Sequence, residues 1–211
     1  MTIDPTGAAT SGLVDRVKNI LLTPKAEWAK IATETPDQNK LFIGYALPLL
    51  AVAAICGFIG MTMIGLPFIG RVSMVWGVTD AILKVAIGLV SLFITAVIAN
   101  ALAPSFGSRQ DMGRAQQLVV YGSTAGLVAG VLAIVPPLAV LSIIGSIYSI
   151  VLIYFGLPAV MNTPADKQAI YLIVLILACI VVFWVLFWVM GIIMASIGFS
   201  ALGAAASMGR Y

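Results

Sequence analysis

Apolar residues gather into five long runs, and the polar residues between them are few. A helix that crosses a bilayer needs about 20 consecutive, mostly apolar residues. Residues 41–64, 81–103, 117–135, 138–160 and 169–198 meet that length. The first run begins directly after Lys40, Pro104 closes the second, and Pro136-Pro137 separates the third from the fourth. The pattern predicts an all-α integral membrane protein whose residues 41–198 form one five-helix transmembrane domain. The fifth run exceeds one crossing, so it must tilt or its end must leave the membrane.

Ahead of the first run the pattern changes. Residues 1–10 are small and polar, include Pro5 and Gly7, and read as disordered. Leu13, Val14, Val17, Ile20 and Leu21 then recur at three- and four-residue spacing, with Asp15, Arg16, Lys18 and Asn19 on the other face. This predicts an amphipathic helix capped by Thr10 or Ser11. Thr23-Pro24 restarts a second one, with Thr23 as cap and Pro24 at the first helical position. Residues 11–40 thus predict a pair of interfacial helices. Their apolar face, Leu13, Val17, Ile20, Leu21, Trp28 and Ile31, lies either on lipid or on the protein's own spans. Residues 199–211, rich in Gly, Ala and Ser, predict a flexible tail.

Composition sharpens this picture. Hydrophobic residues make up 62% of the chain and charged ones 9%, with a mean hydropathy of +1.13. Soluble domains run nearer ~45–50% and ~25%, and a chain this apolar could not cover its surface with polar groups. Residues 1–12 lack the charged and apolar regions of a signal peptide, so the first run reads as a retained span.

Charge sets the predicted topology. Of the 11 basic residues, eight fall in the N-terminal segment and in loops 104–116 and 161–168: Arg16, Lys18, Lys25, Lys30, Lys40, Arg109, Arg114 and Lys167. Arg71 and Arg210 fall on the other side, and Lys84 lies inside the second run. Cytoplasmic loops carry the excess of Lys and Arg, so the N-terminus is expected in the cytoplasm and the C-terminus outside. The net charge of +3 is scattered, unlike the clustered patch of a nucleic-acid binder.

Little reactive chemistry is present. The chain has no histidine, which removes the commonest general base and metal ligand. No phosphate loop, dinucleotide fingerprint, nucleophile elbow or metal motif appears, so an enzyme, a cofactor and a metal are not expected. Cys56 and Cys179 lie within apolar runs and read as small core residues. Asp80 and Lys84 stand four apart and share a helix face. They are either a vestibule contact for an ion or substrate, or a span-end anchor whose lysine snorkels outward. Asn100 is the polar point at the other end of that run.

Gly122, Gly126 and Gly130 form a ladder of small residues that lets another helix approach closely. Ser142, Ser146 and Ser149 are the candidate matching surface. Packing within one bundle is the preferred reading, and a dimer interface is the alternative. Tyr121, Tyr148, Tyr154 and Tyr171 read as interface anchors.

A resemblance enters at Tyr148–Tyr171. This stretch carries Tyr148, Tyr154, Gly156, Leu157, Pro158, Met161, Pro164, Lys167 and Tyr171. It is similar to the signature of the bacterial branch of the Yip family, the Ypt/Rab-interacting membrane proteins. Thr23-Pro24-Lys25 with Trp28 and Ile31, Tyr121-Gly122-Ser123 and Pro136-Pro137 agree with it, and the likeness covers about residues 13–195. The resemblance implies five spans, a cytoplasmic N-terminus and a bacterial inner-membrane location. The acidic Asp-Leu-Tyr-Gly-Pro-type motif of eukaryotic members has no match before Leu41, and Ala125 stands where related bacterial chains tend to carry a proline. Rab binding is therefore not carried over.

These features predict a non-enzymatic, membrane-organising scaffold or interaction protein. It would act by helix packing and by its interfacial segment, with membrane lipid and a membrane-protein partner or a second copy as partners. The alternative is a small-solute or ion transporter or channel, with Lys84, Asn100 or the Pro158 break lining its path.

Overall fold

The computed structural model describes the backbone of residues 5–208 and the side chains of residues 12–196. Two helices, α1 (Pro5–Leu22) and α2 (Pro24–Thr33), precede the bundle. Five helices are long and apolar enough to cross a membrane: α3 (Gln38–Ile64), α4 (Met74–Phe106), α5 (Met112–Ile134), α6 (Pro136–Met161) and α7, whose apolar stretch is Ala165–Ser196. The α7 helix itself continues to Met208.

Several boundaries differ from expectation. The first helix starts at Pro5 rather than at Thr10 or Ser11, so helix replaces the expected disorder from residue 5 onward. Residues 1–4 lie outside the described residues. Helix also replaces the expected tail up to Met208, leaving residues 209–211 outside. Thr23 does not cap α2 with its side chain; its hydroxyl donates to the Asn19 carbonyl and closes α1 instead. The second span begins seven residues before position 81, because Ser73 accepts the Trp76 N–H and caps it. The third begins at Met112, capped by Asp111 accepting from the Arg114 N–H.

Prolines shape the spans locally. Pro48 cannot donate to the helical ladder, and the turn before it widens into a π segment, Phe42–Ala46, in which Leu47 N–H reaches Phe42 O. Val135, placed before Pro136, is forced into an extended conformation (φ −113°, ψ 98°). That turns the chain between α5 and α6. Pro136-Pro137 therefore opens the fourth element rather than only ending the third.

Packing is uneven. α5 contacts α3, α4 and α6, and α4 contacts α3, α5 and α7. In α5, 44% of the most apolar stretch is buried, against 6% in α6 and in α7. So α5 is the centre of the bundle, and α6 and α7 stand at its edge. The loops 107–111 and 162–164 share one end with α1 and α2, since Arg109 N–H donates to Met161 O (2.8 Å) and Arg114 Nη1 to Ile31 O (3.2 Å). Gly65 and Gly70, at φ 99° and 83°, form the turn at the opposite end. The exposed Phe68 stands at its tip.

Candidate functional site

Three clusters bring together the residues that sequence reasoning singled out. The first docks the N-terminal helices. Ile20, Trp28 and Ile31 are buried to 0–1% exposure against the protein, and Leu13, Val17 and Leu21 pack beside them. The apolar face therefore lies on the spans, and lipid cannot reach its centre. Gly156 makes room for this: a Cβ there would lie 2.8 Å from the Trp28 ring. Trp28 meets Tyr121 edge-on at 6.5 Å between centroids.

Polar contacts lock the same junction. Arg16 bridges Glu27 at 2.6 Å and Glu34 at 2.5 Å and stands over the Tyr121 ring at 5.4 Å. Burial alone would lower the Arg16 pKa, but the hydrogen bond to Glu34 and the charges of Glu34 and Glu27 outweigh it and raise it. The guanidinium stays charged. Tyr148 donates to Leu21 O at 2.7 Å. Tyr121, buried against the docked helices, is thus a core residue rather than an interface anchor, and the half-buried Tyr148 bonds α1. Sequence reasoning missed Arg16, Glu27 and Glu34, because pairs eleven and eighteen residues apart have no local spacing signal.

The second cluster is the Gly ladder. Gly122 faces Ile153, whose side chain fills the space of a Cβ. Gly126 faces Ser146 and Ser149, and its N–H donates to Ser149 Oγ at 2.9 Å. These two glycines thus contact α6 of the same chain. Gly130 differs: it opposes Ala53 on α3, at 2.8 Å from a built Cβ. Ser142 and Ser146 donate to Ala139 O and Ser142 O of their own helix, so only Ser149 links the helices. Gly145, not singled out beforehand, packs against Ala129 and the Ala125 carbonyl.

The signature segment forms the third cluster. Pro158 lies inside α6 and leaves the Tyr154 carbonyl without its helical donor. The Gln168 side-chain amide donates to that carbonyl. Leu157 O accepts from Thr163 Oγ1 at 3.1 Å, and Ser108 donates to Thr163 at 2.9 Å. Tyr171 is fully buried, donates to Ala99 O on α4 and stacks on Phe106 with ring centroids 4.8 Å apart. It too is a core residue rather than an interface anchor. Asn162, at φ 52°, ends α6 in the left-handed conformation. Pro164 and Lys167 lie beside Gly107 in the facing loop. The segment joins α4, α6 and α7 at one end.

Asp80 and Lys84 pair at 2.7 Å, with side-chain exposures of 9% and 47%. They line a groove of about 890 Å³ between α4 and α7, walled by Trp76, Ile87, Phe183 and Trp184. Asn100 lies twenty residues further along α4, its buried Oδ1 without a hydrogen-bond partner. Among the described residues, no cluster of three or more His, Cys, Asp or Glu side chains could hold a metal.

An all-helical bundle of five membrane-crossing helices, with an N-terminal helix pair docked on one end, defines a polytopic membrane protein. The Yip1 domain profile matches residues 18–187, and the chain belongs to that family. It is similar to the inner membrane protein YohC of Escherichia coli strain K12, with 23% identity over 151 residues, covering 68% of this chain and 77% of that protein. YohC of Escherichia coli O6:H1 strain CFT073 matches equally. No solved structure matches.

Proposed function

We propose that this chain is a non-enzymatic scaffold or interaction protein of the bacterial inner membrane, with a cytoplasmic N-terminus and an exterior C-terminus. The orientation rests on the eight-to-two division of basic residues. The observation that carries the scaffold reading is the bareness of α7. It packs on α4 and on one end of α6, and Phe183, Trp184, Phe187 and Trp188 stand 57–76% exposed. Large aromatics on an open helix face give a partner helix broad contact area at small loss of side-chain freedom. The rest of the bundle is tied together by its own hydrogen bonds and presents α7 from a fixed base.

The transporter reading has less in its favour. A path needs polar groups in succession through the bilayer. Here Tyr45 is bonded to Thr124 at 2.8 Å, Ser149 to Gly126, and the carbonyl freed by Pro158 to Gln168. Asp80–Lys84 and Asn100 stand at opposite ends of one helix.

Affinity purification from native membranes in mild detergent, followed by native mass spectrometry, tests the scaffold reading. A partner or second copy held at fixed stoichiometry, and lost on Trp184→Ala with Trp188→Ala, is the expected result. A lone monomer, together with solute flux into liposomes that disappears on Lys84→Ala, would overturn it in favour of transport.

A further inference from the structure

A second groove runs between α3 and α4, on a face that neither the docked helices nor α7 covers. Its volume is about 530 Å³, and every residue lining it is apolar, with Ala51, Ala54 and Phe58 on α3 and Val78, Ala86 and Leu89 on α4. The two helices run antiparallel in close contact, Gly77 beside Phe58 and Gly88 beside Leu50. Alanines keep the groove open, and the exposed Ile55 and Ile82 flank it. A slot between helix axes about 8–10 Å apart takes a single hydrocarbon chain, whereas a third helix, about 10 Å across, rests on its rim.

The loop that joins the two helices puts a charge at one end of this slot. Val72 N–H donates to Met61 O at 3.1 Å, which holds Arg71 level with the last turn of α3. Phe58 lies about 5 Å further into the bundle and Ala51 about 15 Å, counted along the helix. With Arg71 among the headgroups, the groove therefore spans one leaflet, about half of the ~30 Å hydrocarbon core. Phe68 and Ile69 on the same loop are exposed, and apolar groups at a bilayer surface favour lipid over water. Arg71 is exposed too, and among the described residues it makes no salt bridge.

We propose that this groove holds one acyl chain of an anionic phospholipid, of the phosphatidylglycerol type, whose phosphate is bound by Arg71. The guanidinium is a fork of donors matched to phosphate oxygens, and the alanine-lined slot takes the chain below it. Ethanolamine and choline headgroups carry a cation of their own beside the phosphate, which cancels part of the attraction. A second copy would bring no anion to this level, since loop 65–73 and the turn at 135–137 contain no Asp or Glu. The groove and the partner surface on α7 use different faces of α4, so either proposal can fail alone.

The test uses full-length protein and native mass spectrometry, with equimolar phosphatidylglycerol, phosphatidylethanolamine and phosphatidylcholine offered in detergent. The wild type is expected to retain phosphatidylglycerol at least about tenfold over the other two, the size of one charge-assisted hydrogen bond. Arg71→Gln, on an exposed loop, is expected to abolish that preference. Ala86→Phe fills the groove from its open side and is expected to lower phosphatidylglycerol retention at least about tenfold, since a chain loses several buried methylenes, with thermal unfolding unchanged. Equal retention of the three lipids by wild type overturns the proposal, as does a preference that survives Arg71→Gln. So does retention untouched by Ala86→Phe, or a lipid-free dimer that Ala86→Phe splits, which would give the groove to a second copy. If Ala86→Phe fails to fold, Arg71→Gln against wild type decides the matter.

Discussion

Gln168 supplies through its side chain the hydrogen bond that Pro158 denies to the Tyr154 carbonyl. The proline breaks the ladder within α6, and a residue of α7 repairs it. Replacing Gln168 by Leu should lower stability by about 1 kcal/mol, the net worth of a hydrogen bond to a part-buried carbonyl. Pro158→Ala restores the N–H, so in that background Gln168→Leu should cost much less. Thermal unfolding of the four proteins in detergent gives the coupling. Additive effects would refute the repair.

Gly156 holds open the slot for Trp28. Gly156→Val should push the indole out and destabilise the protein by about 1–3 kcal/mol, as overpacking does. Limited proteolysis should then cut between α2 and α3 faster than in wild type. An unchanged cleavage rate would mean that the helix pair is held by other contacts.

Arg16 joins two glutamates of α2 and its C-terminal linker to Tyr121 of α5. Arg16→Met leaves Glu27 buried without a partner, and should cost about 3 kcal/mol. Adding Glu27→Leu removes the stranded charge and should recover most of the loss. Chemical denaturation of both variants checks this; a double variant no better than the single one would disprove it.

Ser149 accepts the N–H of Gly126 where the α5 ladder is interrupted near Ser123. Ser149→Ala should cost about 1–2 kcal/mol. Gly126→Leu should cost more, since a large side chain must enter the space held by Ser146 and Ser149. If Gly126→Leu leaves stability intact but breaks an oligomer, the ladder faces a second copy and not α6.

The helical class and the five apolar stretches were legible in the sequence, because lipid imposes a length and a polarity that each segment must meet by itself. The signature around Tyr148–Tyr171 was equally legible as a pattern, and the Yip1 domain match over residues 18–187 agrees with it. Helix starts were less so. Ser73 and Asp111 begin spans several residues before the apolar runs do, because a cap answers to backbone N–H groups and not to hydropathy.

Which partner each residue meets was a matter for the tertiary structure alone. Equal spacing made Gly122, Gly126 and Gly130 one ladder, yet the third glycine faces α3, because each four-residue step turns about 40° past a full turn and carries Gly130 away from the face of Gly122. Tyr121 and Tyr171 look like interface residues by type, but ring contacts and hydrogen bonds from distant segments place them inside. Residues 13–31 showed an amphipathic face, and periodicity could not say whether lipid or protein covers it. Both are apolar; only the shape of the bundle, with Gly156 leaving room for Trp28, selects protein. Composition and period are properties of a segment by itself, whereas close packing and pairing depend on what stands opposite.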